Sequence, residues 1–363
     1  EVGCVSFFFS SSRRHTRLRR DWSSDVCSSD LRIIDSAAAG TRFSKALAVN
    51  LRSLDILAPS GISERLIAAG QKIRRMILHE GGDRLATLHL DRIDHPHPFI
   101  LSLPQNETER LLAEGLAELG VVVERQCALV GFKQTDGRVI ATLDRGGALE
   151  DHTADYLIGA DGAHSKVRAS LGVGYPGAAH DHHWSLADVT LDWPYGDDEM
   201  SMFMAASGTV LLVIPYGERR FRIVAATPGV LSQLPFGRVL GDVIWQSDFT
   251  TSHRLVDHYG AGRVFLCGDA AHIHSPAGGR GMNLGIEDAA VLADRICHGG
   301  LETYSADRRP IGRSIIRQTD AMLSIMASRN PLARRVRNMV IRYLLPWEPM
   351  QSRLRTRIMG LAD

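Results

Sequence analysis

The run from Gly262 to Ala289, GRVFLCGDAAHIHSPAGGRGMNLGIEDA, holds the densest set of chemically useful residues in the chain. A hydrophobic strand over 264–267 ends at Gly268-Asp269. A Pro/Gly loop follows, and a helix begins near Gly281-Met282-Asn283. This order puts a carboxylate at the C-terminal end of a strand, beside a glycine-lined helix N-terminus. Such a carboxylate accepts hydrogen bonds from sugar-alcohol hydroxyls. The glycines let backbone approach a flat ring, and the open amides and helix dipole stabilise negative charge on a ligand. The alternative, a structural loop with an ordinary cap, leaves most of this 28-residue run unexplained.

A second segment, YLIGADGAHSKVR, spans Tyr156 to Arg168 and again takes a strand into a polar turn and a helix start. Asp161-Gly162 alone would read as a turn. With its flanks it reads as part of a binding site, while His164 and Lys166 read as surface residues. Asp35 ends a first short strand, RIID. In a dinucleotide fold an acid there binds the adenosine ribose hydroxyls, but a solvated strand end explains it equally well. His180-Asp181-His182-His183 reads as a polar loop with no metal, because neighbours in an extended loop cannot all point inward. DHPHP at 94–98 reads as a turn. No Ser/His/Asp hydrolase signature, P-loop or HExxH occurs.

The first segment resembles the second flavin-binding motif of the class A flavoprotein aromatic hydroxylases, the para-hydroxybenzoate hydroxylase-like FAD monooxygenases. That family pattern is G-D-A-A-H followed by P-x-x-G-x-G-x-N. Here it stands as Gly268-Asp269-Ala270-Ala271-His272, then Pro276-Ala277-Gly278-Gly279-Arg280-Gly281-Met282-Asn283. The resemblance implies that Asp269 binds the FAD ribityl chain and that Pro276 sits near the flavin ring. It also implies that the amides around Gly281–Asn283 face the N1–C2 carbonyl edge, and that Gly268, His272 and Gly279 belong to the same cofactor motif. The family often has Gln where Arg280 stands, so Arg280 receives no role. Tyr156 to Arg168 resembles the family's D-G motif, which links FAD and nicotinamide binding through Asp161, Gly162 and Arg168. By the same resemblance Asp35 binds ribose, Lys45 contacts cofactor phosphates where the family often has Arg, and Gln105 lies beside the flavin.

The implied chemistry is hydroxylation of an electron-rich, phenol-like aromatic with NADPH or NADH, O2 and FAD, through a flavin C4a-hydroperoxide. No protein nucleophile is needed, because the cofactor does the hard chemistry. Two alternatives stand beside it. One is a related flavoprotein of other chemistry, a halogenase or an isoprenoid reductase; the W-x-W-x-I-P pattern of the halogenases is absent. The other is a non-catalytic fragment unable to hold FAD.

The elements needed to position these residues are those of an α/β protein. The fold expected is a Rossmann-like FAD-binding domain lacking its first βα unit, with an inserted antiparallel-sheet substrate domain and C-terminal helices. A helix is expected over 44–58, with Ala46, Val49, Leu54 and Leu57 near helical spacing. A hairpin is expected from 76–79 and 85–90 around GGD, as part of an excursion over about 72–104. Asn106 to Glu109 resembles a capping box, with Asn106 as N-cap of a helix burying Leu111, Leu112, Leu116 and Leu119. Strands follow at 121–125, 129–133, 139–143 and 154–160. Strand-like runs recur at 185–191, 200–205, 210–215 and 221–226, and a helix is expected over 281–298. The cofactor domain then comprises 32–174 and 259–300, the substrate sheet 175–258, and C-terminal helices 301–363. Substrate contacts are expected from the 185–227 sheet and the 76–104 region. Residues 331–345, PLARRVRNMVIRYLL, read as a packed terminal helix with a solvated basic face; membrane-surface contact is the lesser alternative.

The chain has 363 residues, ordinary hydrophobic and charged fractions of 44% and 23%, and a net charge of +1. A near-neutral body argues against nucleic acid as the main partner. Five scattered cysteines without a CxxC pair suit reduced thiols in a cytoplasm. No apolar run is long enough for an integral membrane segment. The oligomeric state is not legible.

Residues 1–31 fit none of this. FFFSSSRRHTRLRR has its charges after the apolar run, the wrong order for a secretory signal, and the aspartates that follow count against a mitochondrial presequence. DWSSDVCSSDL, Asp21 to Leu31, resembles the translation of a common short-read sequencing adapter over all eleven residues. A disordered natural tail is the other reading. The adapter reading predicts that 1–31 is artefactual and disordered, that the true sequence starts near Arg32, and that a G-x-G-x-x-G strand–loop–helix is missing upstream. The parent protein would then be an active flavoenzyme, and this polypeptide would bind FAD weakly or not at all.

Overall fold

The computed structural model describes residues 5–9, 31–43, 45–234, 239–276 and 278–361, without the side chains of 5–9, 179–182 and 239–240. Two large sheets carry the architecture. The first has six strands in the order Gly260–Ala261, Val264–Leu266, Tyr156–Ala160, Val5–Phe9, Leu31–Asp35, Val123–Arg125. Val264–Leu266 runs parallel to Tyr156–Ala160, and Leu31–Asp35 parallel to Val123–Arg125. These strands read as near-continuous apolar runs because both faces are covered: Ile33, Ile34, Leu157 and Leu266 are all buried. Val5–Phe9 lies between the two parallel pairs and runs antiparallel to both. Its Val-Ser-Phe-Phe-Phe composition suits a strand. The expectation of disorder over 1–31 is therefore corrected at these five residues. The rest of that segment, except Leu31, lies outside the described residues, as do Ser44 and Ala277.

The second sheet has eight strands, in the order His272–Ile273, Val239–Leu255, Gly177–Leu191, Arg220–Ala225, Val210–Pro215, Glu199–Met204, Arg75–Glu80, Asp83–His89. The expected strands at 185–226 are all here. The hairpin around Gly81 joins the same sheet, because Glu199–Met204 pairs with Arg75–Glu80 in parallel. It is thus part of the eight-stranded sheet rather than an outgrowth of the six-stranded one. Residues 180–183, expected as a loop, fall within the strand Gly177–Leu191, with a register shift between Ala179 and His183. The side chains of His180–His182 lie outside the described residues.

Four further expectations are corrected. No helix covers 44–58: the chain stays extended through Ala48–Val49, and Asn50 caps a helix over Leu51–Leu57 by accepting from the Ser53 amide at 3.0 Å. Pro104, not Asn106, precedes the first turn of the Gln105–Glu118 helix, and Gln105 spends its side chain on Glu109 at 2.7 Å. On that helix Leu111 is buried, while Leu119 is 66% exposed past the C-terminal end. The strands Cys127–Thr135 and Arg138–Arg145 gain a third partner, Ala148–Ala154, whose polar ALEDHTA sequence hid it. The basic face expected over 331–345 is only partly solvated: Arg335 and Arg342 are exposed and Ile341 and Leu345 buried, but two arginines turn inward. Arg334 and Arg337 pair inward with Glu80, while Leu332 and Tyr343 point outward, each 70% exposed.

Candidate flavin site

The strand Val264–Leu266 ends in Cys267 and a tight turn over Gly268–Ala270. Gly268 has φ +60° and its Cα lies against Gly285 of the following helix, where a Cβ on Gly285 would meet it at 3.4 Å. Glycine at both positions lets strand end and helix touch. The turn is braced from below by a buried ionic network. Asp288, fully buried on the Gly281–His298 helix, accepts from the Gly268 amide at 3.2 Å, pairs with His272 Nε2 at 2.7 Å and takes the Arg308 Nε at 2.6 Å. His272 is therefore a support of the turn: its ring is 1% exposed and held against Asp288.

Asp269 itself is exposed to solvent, with protein crowded round the rest of its carboxyl. That crowding pushes its carboxyl up from the usual range, against the opposing pull of His272 and Lys45. Burial lowers the Lys45 ammonium while the charge of Asp269 pulls it back up. Lys45 also rests 4.2 Å from the centroid of the Phe249 ring, on the strand Val239–Leu255.

The loop after Pro276 reaches the helix at Gly281 with no side-chain cap at Arg280. The first-turn amides are open at the positive end of an 18-residue helix. Gly278 and Gly279 are both exposed. Asn283 holds this loop in place. Its amide nitrogen donates to Ala48 O at 2.9 Å and Gly279 O at 2.8 Å. Its oxygen accepts from Asn50 N at 2.9 Å and Ser53 Oγ at 2.8 Å. With all four bonds committed, the Asn283 side chain is a strut, and its backbone is what remains for a ligand. Met282 packs partly buried against the neighbouring core. Arg280 is buried and donates to Arg357 O at 2.9 Å.

The D-G segment closes one wall. Asp161 accepts from Ser165 Oγ and from the amides of Lys166 at 2.7 Å and Val167 at 3.0 Å, capping the Lys166–Leu171 helix. Gly162 takes φ +75° in this turn. Arg168 donates to Ala270 O at 2.9 Å and Ala163 O at 2.8 Å, and its guanidinium lies 3.8 Å over the Tyr175 ring. Tyr175 in turn donates to Asp269 O at 3.0 Å. Asp161 and Arg168 thereby tie the turn at 162 to the turn at 269. His164 and Lys166 are exposed, as expected. Gln105 sits beside the Lys45 segment, its amide bonded to Ala46 O at 3.3 Å.

Asp35 stands apart from this group. It is 2% exposed, which removes the solvated-end reading. One oxygen accepts from Ala37 N at 2.9 Å and the other pairs with Arg125. Gly172-Val173-Gly174-Tyr175-Pro176-Gly177 has the letters of a phosphate-binding glycine loop but leads from a helix into a strand, the reverse of the required order. The residues therefore fit the ring and ribityl end of FAD: an open acid, bare glycines and uncapped amides. At the adenosine end, Asp35 already has its partners.

Several supporting residues lie outside the motifs. Asp288 was available in IEDA, one helical face from Gly281. Arg308 and the buried pair Arg222–Asp188, bonded at 2.8 Å with Arg222 also reaching Ala46 O at 3.0 Å, were not.

The family described as FAD binding domain matches residues 29–230 and 228–319. The chain is 34% identical over 356 residues to a 6-methylpretetramide 4-monooxygenase of Streptomyces rimosus, covering 91% of this chain and 64% of that protein. It is 31% identical over 324 residues to a rifampicin monooxygenase of Streptomyces venezuelae, covering 82% and 66%. The chain thus spans just under two thirds of the length of these two relatives. Among solved structures, OxyS anhydrotetracycline hydroxylase from Streptomyces rimosus aligns with a TM-score of 0.75 at 29% identity, covering 93% of this chain and 72% of that one. The p-nitrophenol 4-monooxygenase PnpA from Pseudomonas putida shares the fold, with a TM-score of 0.82 at 19% identity, covering 90% and 91%. Among the described residues no helix is long and apolar enough to cross a membrane.

Proposed function

The chain belongs to the FAD-binding domain family, and from that premise we propose that it is the catalytic body of an FAD-dependent monooxygenase that hydroxylates a phenol-like aromatic with NAD(P)H and O2. The observation that carries this reading is the exposed Asp269 after the Val264–Leu266 strand, followed by the exposed Gly278–Gly279 and a helix that starts at Gly281 with no side-chain cap. When bound there, FAD supplies the redox chemistry and activation of O2.

The chain's own residues bind, orient and exclude water. Asp269 accepts hydrogen bonds from ribityl hydroxyls. The amides of Gly281 and Met282 stabilise negative charge at the ring's N1–C2 edge, the place where a reduced flavin carries it. Pro276 and Gln105 would stand beside the ring, and Lys45 would contact the cofactor phosphates. Arg168 and Tyr175 fix the backbone of Asp269, so the acid keeps its aim. The eight-stranded sheet would supply the substrate contacts and keep water from the reacting edge.

The test is an absorbance titration of the purified full chain with FAD, followed by NAD(P)H oxidation with and without a panel of phenols. A flavin spectrum perturbed on binding, and oxidation stimulated by a phenol with matching hydroxylated product, support the reading. A chain that binds FAD but oxidises NAD(P)H without hydroxylating any phenol overturns it in favour of other flavin chemistry. Failure to bind FAD at all favours the fragment reading.

A further inference from the structure

The helix Pro331–Met339 and the π-helical turn Val340–Leu344 that continues it are held to the body along one side. Arg337, Ile341 and Leu345 are buried there, and Arg334 donates to Glu80 at 3.0 Å. The helix is therefore anchored in one rotation. Its other side carries Leu332, Val336, Met339 and Tyr343, and Trp347 follows just beyond the turn. Steps of three and four residues put the first four on one helical stripe. All five are 53–70% exposed. Single apolar residues on a surface need no explanation, but a continuous stripe indicates a contact surface.

Charge decides what fits it. No Asp or Glu occurs from Ala321 to Trp347, a run with five arginines. Arg334 and Arg337 are spent on Glu80. Arg335 and Arg342, seven residues apart and so on one flank of the stripe, are exposed, and Arg329 is exposed at its start. None of these three has an ion pair among the described residues. Two copies meeting stripe to stripe would set these arginines against each other with no acid between them. Tyr343 and Trp347 have apolar bodies and polar tips, a combination favoured where hydrocarbon meets water. An arginine beside the stripe can lay its methylenes on apolar surface and hold its head among anionic headgroups.

We propose that this face is a peripheral membrane-docking surface, which lays the stripe into the headgroup region of an anionic bilayer with Arg335 and Arg342 among the headgroups. The helix rests on the surface and does not span it, because Arg334 and Arg337 keep its opposite side on Glu80. The inference stands on the C-terminal helix alone and is independent of the flavin reading.

The test is flotation of the purified full chain with vesicles of phosphatidylcholine containing about a third phosphatidylserine, and with vesicles of phosphatidylcholine alone. The unsubstituted protein should bind the anionic vesicles at least about tenfold more tightly than the neutral ones. Arg335→Gln/Arg342→Gln should weaken that binding by roughly 20- to 30-fold, the worth of two cations at the surface. Leu332→Ser/Tyr343→Ser, which leaves every arginine in place, should weaken it by about tenfold or more. Both pairs change only exposed side chains, so their urea midpoints should stay with that of the unsubstituted protein. Residues 13–20, RRHTRLRR, supply a second basic run, and the serine variant separates the two sources of charge. Anionic binding that survives the loss of Leu332 and Tyr343 is charge alone and overturns the inference. Failure of the chain to float with anionic vesicles overturns it too. So does a dimer in sedimentation that Leu332→Ser/Tyr343→Ser dissociates, which would make a second copy the occupant.

Discussion

Two acids close strands of the same six-stranded sheet, Asp269 after Val264–Leu266 and Asp35 at the end of Leu31–Asp35. At Asp269 the labour is divided. A second acid, Asp288, holds the turn from beneath through Gly268, His272 and Arg308, and Arg168 with Tyr175 hold it from the side. Asp269 is left exposed. At Asp35 one carboxylate does the structural work itself, taking Ala37 N and Arg125. The difference teaches that an acid is available to a ligand only where other groups have taken over the task of shaping its loop.

The largest effect should come from removing the hidden acid at the finished end. Asp288→Ala leaves Arg308 buried beside Glu287 alone and releases His272, so stability should fall by about 3–5 kcal/mol. Urea unfolding checks this. A loss under about 1 kcal/mol would mean that the network is not what holds the turn.

The comparison is tested most directly by making one change at both acids. Asp269→Asn should weaken FAD binding by roughly 10- to 100-fold, the worth of hydrogen bonds to a charged group, with stability within about 0.5 kcal/mol. Asp35→Asn should do the reverse, costing about 1–3 kcal/mol of stability through Arg125 while changing FAD affinity by about threefold or less. Isothermal titration and unfolding on the same two proteins separate the outcomes. Equal losses of affinity would restore Asp35 as a working ribose ligand.

Acid should also distinguish the two ends. His274, in the loop that follows Asp269, has its imidazole pushed down from 6.5 to about 4, first by burial and then by His272, His253 and Arg280, with Ser275 O opposing. Its folded pKa lies below the unfolded one, so the unfolded chain binds the extra proton between those values. This contribution is complete above about pH 6.5 and is lost as pH falls toward 4, by on the order of 2 kcal/mol. Hydrogen exchange at pH 7 and 4.5 should show the 272–281 loop loosening before Leu31–Asp35, and His274→Phe should remove that difference.

The same contrast explains what the sequence made legible. Strand, Gly-Asp turn, glycine loop and helix over 264–298 are contiguous, and local pattern decides each of them. The strands of the second sheet were readable from turn residues and apolar runs. Partnerships across the chain were not. Arg222 meets Asp188 only because two strands pair in one register, and Arg308 reaches Asp288 from another helix. Local rules also competed: Asn106 offered a capping box, but Pro104 one turn edge earlier set the start, and Asn50 broke an apparent helical run. For residues 331–345 the sequence marks a basic face but not which of its arginines turn inward; Glu80, more than 250 residues away, draws in Arg334 and Arg337 while Arg335 and Arg342 stay exposed.

The smallest effect would come from loosening the committed acid. Arg125→Met removes the partner of Asp35 Oδ2 while leaving the Ala37 amide on Oδ1. If that engagement is what withholds the carboxylate, FAD affinity should rise by about two- to fivefold, while stability falls by about 1–3 kcal/mol because a buried carboxylate has lost a partner. The two changes have opposite signs, so general loosening of the fold cannot mimic them. An affinity that falls with stability would show that Arg125 itself contacts the cofactor, and that the adenosine end works through its cation instead of its acid.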